Sequence, residues 1–351
     1  MKLRYLNILI CALALLPMLA ACKHENTEKA PDVATVHECK NGIYYWRTVL
    51  RLDSAERAFL GAHNVKRAYV RFFDIVVDKS PAAMDAVVPN ATLQVKDSLP
   101  VEEIIPTVYI TVDALKKMKG DEDRWAQKMV KRVANMCSYN ELPALQELQL
   151  DCDWTLSTDS VFFALCKAVK RELAARNPEA VLSATIRLHQ LRQTPPPVDY
   201  GVLMLYNTGS FENPETPNSI LSVADVQPYL GHLADYPLPL DNAYPVFSWN
   251  LLYRDQRFKG IMRSDTELPR DILKYDGYNT YMVECDTIID GTFFYARDMI
   301  RREEIPFTTL MEVKDLVDSL SGGRAHSNVI YHLDTRNLAN YTGDEFTQIY
   351  K

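Results

Sequence analysis

Eight short runs of β-branched and aromatic residues recur along the chain, beginning near residues 43, 68, 106, 146, 181, 200, 243 and 328. IYYWRT (43–48) precedes a helical pattern over 54–64. AYVRFFDIVV (68–77) and PTVYITV (106–112) follow, the latter ahead of an amphipathic segment from about Glu122 to Cys137. LQELQLDCDWT (145–155) leads into SVFFALCKAVKRELAARN, whose apolar residues fall at helical spacing. VLSATIRL (181–188), YGVLMLYN (200–207), AYPVFSW (243–249) and NVIYHLD (328–334) complete the set. Strands alternating with helices point to a parallel sheet, because parallel neighbours need a long crossover and bury both faces. Eight such units fit an α/β fold of the (β/α)8 TIM-barrel type. A doubly wound sheet is the alternative, but no GxGxxG follows any early strand. Two places break the regularity. The gap 188–200 is too short for a full helix, and 250–327 is too long for one crossover. The long stretch predicts an extra strand at YMVECDTI (281–288) and an insertion over about 255–327, packed across one face.

The N-terminus is expected to lie outside this domain. MKLRYLNILICALALLPMLAAC opens with Lys2 and Arg4, continues through an apolar run and ends in small residues before Cys22, the tripartite pattern of a signal peptide over 1–21. The run is short for a membrane span, which needs about 20 apolar residues. Leu19-Ala20-Ala21-Cys22 resembles the bacterial lipobox. That resemblance implies cleavage before Cys22, lipidation of Cys22, and an exported protein anchored in the cell envelope, the outer membrane being the expected site. Residues 22–41 are polar and aperiodic and read as a flexible tether. Residues 42–351 then form a single domain.

The formal charge of −7 becomes more negative once Lys2 and Arg4 are removed with the signal. A mildly acidic chain without basic clusters is a poor nucleic-acid binder. Membrane contact is expected through the anchor alone. After Cys22 five cysteines remain (39, 137, 152, 166 and 285), an odd number with no CxxC, so a disulfide scaffold is not expected. The histidines never approach HExxH or another paired spacing, so no metal is expected, nor any cofactor. A monomer is the default expectation.

In a barrel, side chains alternate between interior and helical layer, and function collects at the C-terminal strand ends. In LQLDCDWT, Leu148, Leu150, Cys152 and Trp154 share one face, which must meet the helices. Gln149, Asp151, Asp153 and Thr155 then point inward. Two aspartates one layer apart disfavour joint ionisation unless neutralised, with Arg187 the first candidate partner.

This motif resembles the DxxDxDxE of family 18 glycoside hydrolases, the chitinase-like enzymes. Its second and third aspartates fall on Asp151 and Asp153. Its first falls on Leu148 and its catalytic glutamate on Thr155. In that family the glutamate protonates the glycosidic oxygen while the preceding aspartate orients the substrate's acetamido group. Threonine cannot supply that proton at any useful pKa. MLYN (Met204, Tyr206, Asn207) resembles the family's M-x-Y-[DN], which contacts the reacting sugar. LPLDNAYPVFSW (238–249) corresponds loosely to its seventh-strand region through Tyr244 and Trp249, without the family's glycines.

Further candidates come from strand ends. Trp46 and Trp249 offer large apolar faces of the kind sugars stack on, while Arg47, Arg187 and Asp334 offer polar contacts. Asp74, deep in an apolar run, is either paired with Arg47 or Arg187 or acts as a displaced acid opposite Asp153. The candidate catalytic groups are therefore Asp153, Asp151 and Asp74. Trp46, Arg47, Arg187, Tyr206, Asn207, Tyr244, Trp249 and Asp334 are the candidate glycan-binding residues. Two functions remain open, a glycosidase with a non-standard acid and a carbohydrate-binding barrel that has lost its acid. A structural surface lipoprotein is a third.

Overall fold

Inward and outward residues separate cleanly in the computed structural model, which describes residues 39–351 except 81–84, 263–264, 270 and 276. The leader, Cys22 and all but the end of the tether lie outside the described residues. Among the described residues eight parallel strands close on themselves: Gly42–Tyr45, Arg67–Val77, Glu103–Ile110, Glu147–Asp151, Val181–Arg187, Tyr200–Met204, Leu240–Pro245 and Asn328–Tyr331. Each pairs with its predecessor, and the first also pairs with the last, so no barrel edge is left open. The chain has the TIM-barrel fold expected of its eight apolar runs.

Leu148, Leu150, Cys152 and Trp154 are fully buried in the core between barrel and helices, with Val70, Val108, Leu182, Ala184 and Ile186 from neighbouring strands. The opposite parity fills the interior with Tyr44, Tyr69, Tyr200, Val202, Met204 and Val329. Helices start where the sequence can cap them. Asp53 and Glu56 form a capping box ahead of Ser54–Ala62, and Thr111 caps Val112–Lys117. The short gap after the fifth strand holds only the 3-10 turn Leu188–Arg192.

The late insertion is a sheet of its own. Trp249–Arg254, Arg257–Met262, Leu273–Tyr275, Thr280–Val283 and Met299–Glu303 pair antiparallel around Leu252, Val283, Phe294 and Ile300. The extra strand expected at 281–288 is two, Thr280–Val283 and Thr287–Ile289, and the second pairs with Thr292–Phe294. After Glu303 the chain returns to the helical layer through Phe307–Leu320. The seventh barrel strand ends at Pro245, so Trp249 opens the inserted sheet and does not end a barrel strand.

A candidate functional site at the barrel mouth

Strand four carries three polar side chains into the barrel, and each is met by donors from its neighbours. Glu147 accepts from Ser183 Oγ at 2.6 Å and from the Tyr200 hydroxyl. Gln149 Oε1 accepts from Tyr44 Oη at 2.9 Å and Thr107 Oγ1 at 3.3 Å. Asp151 Oδ1 accepts from Thr185 Oγ1 at 2.6 Å and from Arg187 Nη2 at 3.0 Å. Buried polar groups persist when satisfied in this way. Asp151 and Arg187 meet as the inward parity of strands four and five requires.

Asp153 behaves differently. The strand stops at Asp151, and the Asp153 side chain is 56% exposed, 3.5 Å from His189 Nε2. Thr155 is exposed in the turn that leads to the helix Asp159–Ala174. Its backbone N–H donates to Thr158 Oγ1, and its hydroxyl is paired with Ser157.

Asp74 reaches the interior by a route that simple alternation does not foresee. A bulge at Phe72 leaves Arg71 opposite Thr107 and Phe73 opposite Val108, so Phe72 and Phe73 both bury on the helix side. The parity of everything after the bulge is reversed, and Asp74 joins Arg71 on one face. Arg71 binds Asp74 through two nitrogens, with Nε–Oδ1 at 2.8 Å. The expected pairing with Arg47 or Arg187 is replaced by this local one.

Two further candidates point away from the barrel interior. Trp46 and Tyr44 point inward, which turns Arg47 outward, where it pairs with the buried Glu56 at 2.8 Å. Ala243 faces the interior, which places Tyr244 in the helix-side core, fully buried. Neither is among the cavity's walls, although Arg47 is within electrostatic reach of Asp334 and His332 there.

The mouth holds a cavity of about 290 Å³, whose walls include Asn207, Trp249, Tyr331, His332, Asp334 and Arg336. Asn207 sits there with φ of 54°, a left-handed conformation that asparagine tolerates better than most residues. Around the cavity runs a chain of aromatic contacts. Trp46 meets Tyr331 at 5.9 Å between ring centroids, Tyr331 stacks on Tyr206 at 4.6 Å, and Phe247 touches Tyr331 at 5.9 Å and Trp249 at 5.2 Å. Trp249 Nε1 donates to Glu303 Oε2 at 2.7 Å, which fixes its ring plane. Asp334 caps the helix Thr335–Leu338 and accepts from Arg336 Nε and Nη2, both at 2.9 Å. Burial works against its charge, but the Arg336 hydrogen bonds outweigh this and hold the carboxyl below its ordinary range. Burial lowers the His332 pKa to about 4, leaving a neutral imidazole at the cavity wall.

The structure therefore brings together Asn207, Trp249 and Asp334 at the cavity and joins Trp46 and Tyr206 to it through Tyr331. Tyr331, Phe247 and Arg336 were not singled out from the sequence. Strand parity already puts Tyr331 inward, two residues after Val329. Phe247 and Arg336 follow the last strand residues and carry no periodic signal. Asp153 and Thr155 are not among the cavity's walls. Among the described residues no group of three or more His, Cys, Asp or Glu could hold a metal, and no helix is long and apolar enough to cross a membrane.

No protein-family model matches the chain, and no curated protein matches it. Its fold is similar to that of human YKL-39, described as a pseudo-chitinase with retained chitooligosaccharide binding properties. That likeness has a TM-score of 0.50 at 11% identity and covers 89% of this chain and 96% of that one. Similar structures include a chitinase from Bacteroides thetaiotaomicron (TM-score 0.49, 10% identity, 89% and 97% covered). The Bacillus cereus spore cortex-lytic enzyme SleL gives a TM-score of 0.48 at 12% identity, with 87% and 74% covered. The likeness is one of fold, a TIM barrel.

Proposed function

We propose that this chain is an exported barrel, anchored through a lipid on Cys22, that binds a neutral oligosaccharide across its mouth without cleaving it as a chitinase does. The observation that carries this reading is the aromatic band from Trp46 through Tyr331, Tyr206 and Phe247 to Trp249, beside the planar polar groups of Asn207 and Arg336. Rigid aromatic faces desolvate sugar C–H surfaces at little entropic cost, and polar groups between them set orientation. A fold neighbour described as a pseudo-chitinase that retains chitooligosaccharide binding supports the same division between binding and turnover.

Hydrolysis by a carboxyl pair needs one group that donates a proton and a second about 5 Å or roughly 6.5–9.5 Å away. Asp74, Asp151 and Asp334 are each engaged by an arginine, namely Arg71, Arg187 and Arg336. Asp153 stands apart beside His189, and position 155 has no carboxyl. With the cations at the rim occupied by carboxylates, a neutral glycan is favoured over an acidic one.

Calorimetric titration with chitohexaose, cellohexaose and maltoheptaose tests this, together with release of chromogenic glycosides. Binding of at least one oligosaccharide is expected, weakened about tenfold or more by Tyr331→Ala and Trp249→Ala. Strong cleavage of chitin-like substrates by the wild type overturns the reading. Cleavage of another glycoside that is lost in Asp153→Asn replaces it with an enzyme using a displaced acid.

A further inference from the structure

A second cavity is larger than the mouth. A groove of about 880 Å³ lies between the loop after strand six, residues 209–222, and one end of the inserted sheet, at Tyr275, Tyr278, Asn279, Tyr281, Arg302 and Glu304. It shares no wall residue with the mouth cavity. Three tyrosines line it. Tyr275 and Tyr281 face each other across paired strands with ring centroids 5.0 Å apart, and Tyr275 Oη donates to the Tyr278 carbonyl at 2.6 Å. Tyr275 and Tyr278 are nevertheless 50% and 71% exposed.

The opposite wall is held in place. Arg301 is almost fully buried and donates to the carbonyls of Asn213 (2.9 Å) and Pro214 (2.8 Å), while Asn279 Nδ2 donates to the Pro217 carbonyl at 2.9 Å. Glu303 accepts from Ser219 N and Oγ at 3.0 and 2.6 Å. The groove is thus preformed on both sides, and binding need not order its loop. Arg302 and Glu304 lie 3.7 Å apart within it, which leaves Glu215 and Asp225 as acidic groups on the wall.

We propose that this groove is a second carbohydrate site, which takes a neutral oligosaccharide against the faces of Tyr275 and Tyr278. Exposed aromatic rings beside amide side chains are the chemistry that recognises a sugar's apolar face and equatorial hydroxyls. A nucleic acid is disfavoured by the Glu215, Asp225 and Glu304 carboxylates on the same wall. The proposal stands apart from the mouth, since the two sites have separate walls.

Titration of the full chain with chitohexaose, cellohexaose and maltoheptaose is the test, repeated with Tyr275→Ala, Tyr278→Ala, Tyr278→Phe and the mouth variant Tyr331→Ala. One oligosaccharide should lose about tenfold affinity in Tyr278→Ala and Tyr275→Ala and recover in Tyr278→Phe, with unchanged melting temperatures. That component should persist in Tyr331→Ala. Binding abolished by Tyr331→Ala and untouched by the tyrosine variants overturns the second site and leaves the mouth. Binding that depends only on Tyr275 and Tyr278 supports the groove while removing the mouth. Absence of binding by all three probes overturns both.

Discussion

Arg187 reaches Asp151 from the next strand, while Asp153, two residues further on, stands in solvent beside His189. Truncating Arg187 leaves a carboxylate that is 4% exposed without its cation, which costs about 3 kcal/mol or more. Arg187→Ala should lose roughly that in urea unfolding at neutral pH, whereas Asp153→Asn should stay within about 0.5 kcal/mol of wild type. Equal effects would contradict the placement of the two acids. His332 carries a pH signature. It is half-buried as a neutral ring, desolvation lowering its pKa to about 4, while an unfolded histidine protonates near 6.5. Between those values the unfolded state binds more protons, so stability must fall as pH drops from about 6.5 to 4 and be retained above that window. The loss is at most about 3 kcal/mol. His332→Asn should flatten this part of the wild-type profile, measured by unfolding at pH 7 and pH 4.5. An identical slope in the variant would contradict the desolvation of His332.

At the scale of elements, parity was the most legible property and local irregularity the least. The inward set Gln149 and Asp151 and the outward set Leu148, Leu150 and Trp154 follow from alternation because a buried strand cannot reverse its faces without a bulge. The second strand does contain one, at Phe72, where no glycine marks it and both phenylalanines suit the same apolar layer. Counting by twos therefore misassigns Asp74. Tyr244 and Arg47 illustrate the reverse case. Their residue types suit a sugar site, but alternation from Ala243 and Trp46 sends both outward. The Tyr244 hydroxyl has no hydrogen-bond partner in the helix-side core. Removing a buried unpaired donor relieves its desolvation cost. Tyr244→Phe should be neutral or gain up to about 1 kcal/mol in thermal unfolding and leave oligosaccharide affinity unchanged. A marked loss of affinity would return Tyr244 to the site.

For the molecule as a whole, eight apolar runs were enough to indicate the barrel, because closure needs eight parallel strands and each run is bounded by turn or helix signals. The mouth was only partly legible. Its aromatic band is assembled from residues at the ends of the first, sixth, seventh and eighth strands and the start of the insertion, which no short motif spans. The lipobox-like Leu19–Cys22 predicts that Cys22→Ser shifts the protein from the membrane to the soluble fraction. Intact-mass data showing cleavage elsewhere would remove that expectation. The central claim is that the mouth holds a glycan while arginines occupy the carboxylates that could attack it. Native mass spectrometry of the protein incubated with chitohexaose, cellohexaose or maltoheptaose reads both halves at once, since the bound mass reports whether the ligand is intact. The account predicts a complex with at least one intact oligosaccharide, unchanged over hours, that loses its mouth-bound ligand in Tyr331→Ala. Shortened chitohexaose fragments accumulating with time, or no complex with any of the three, would contradict it.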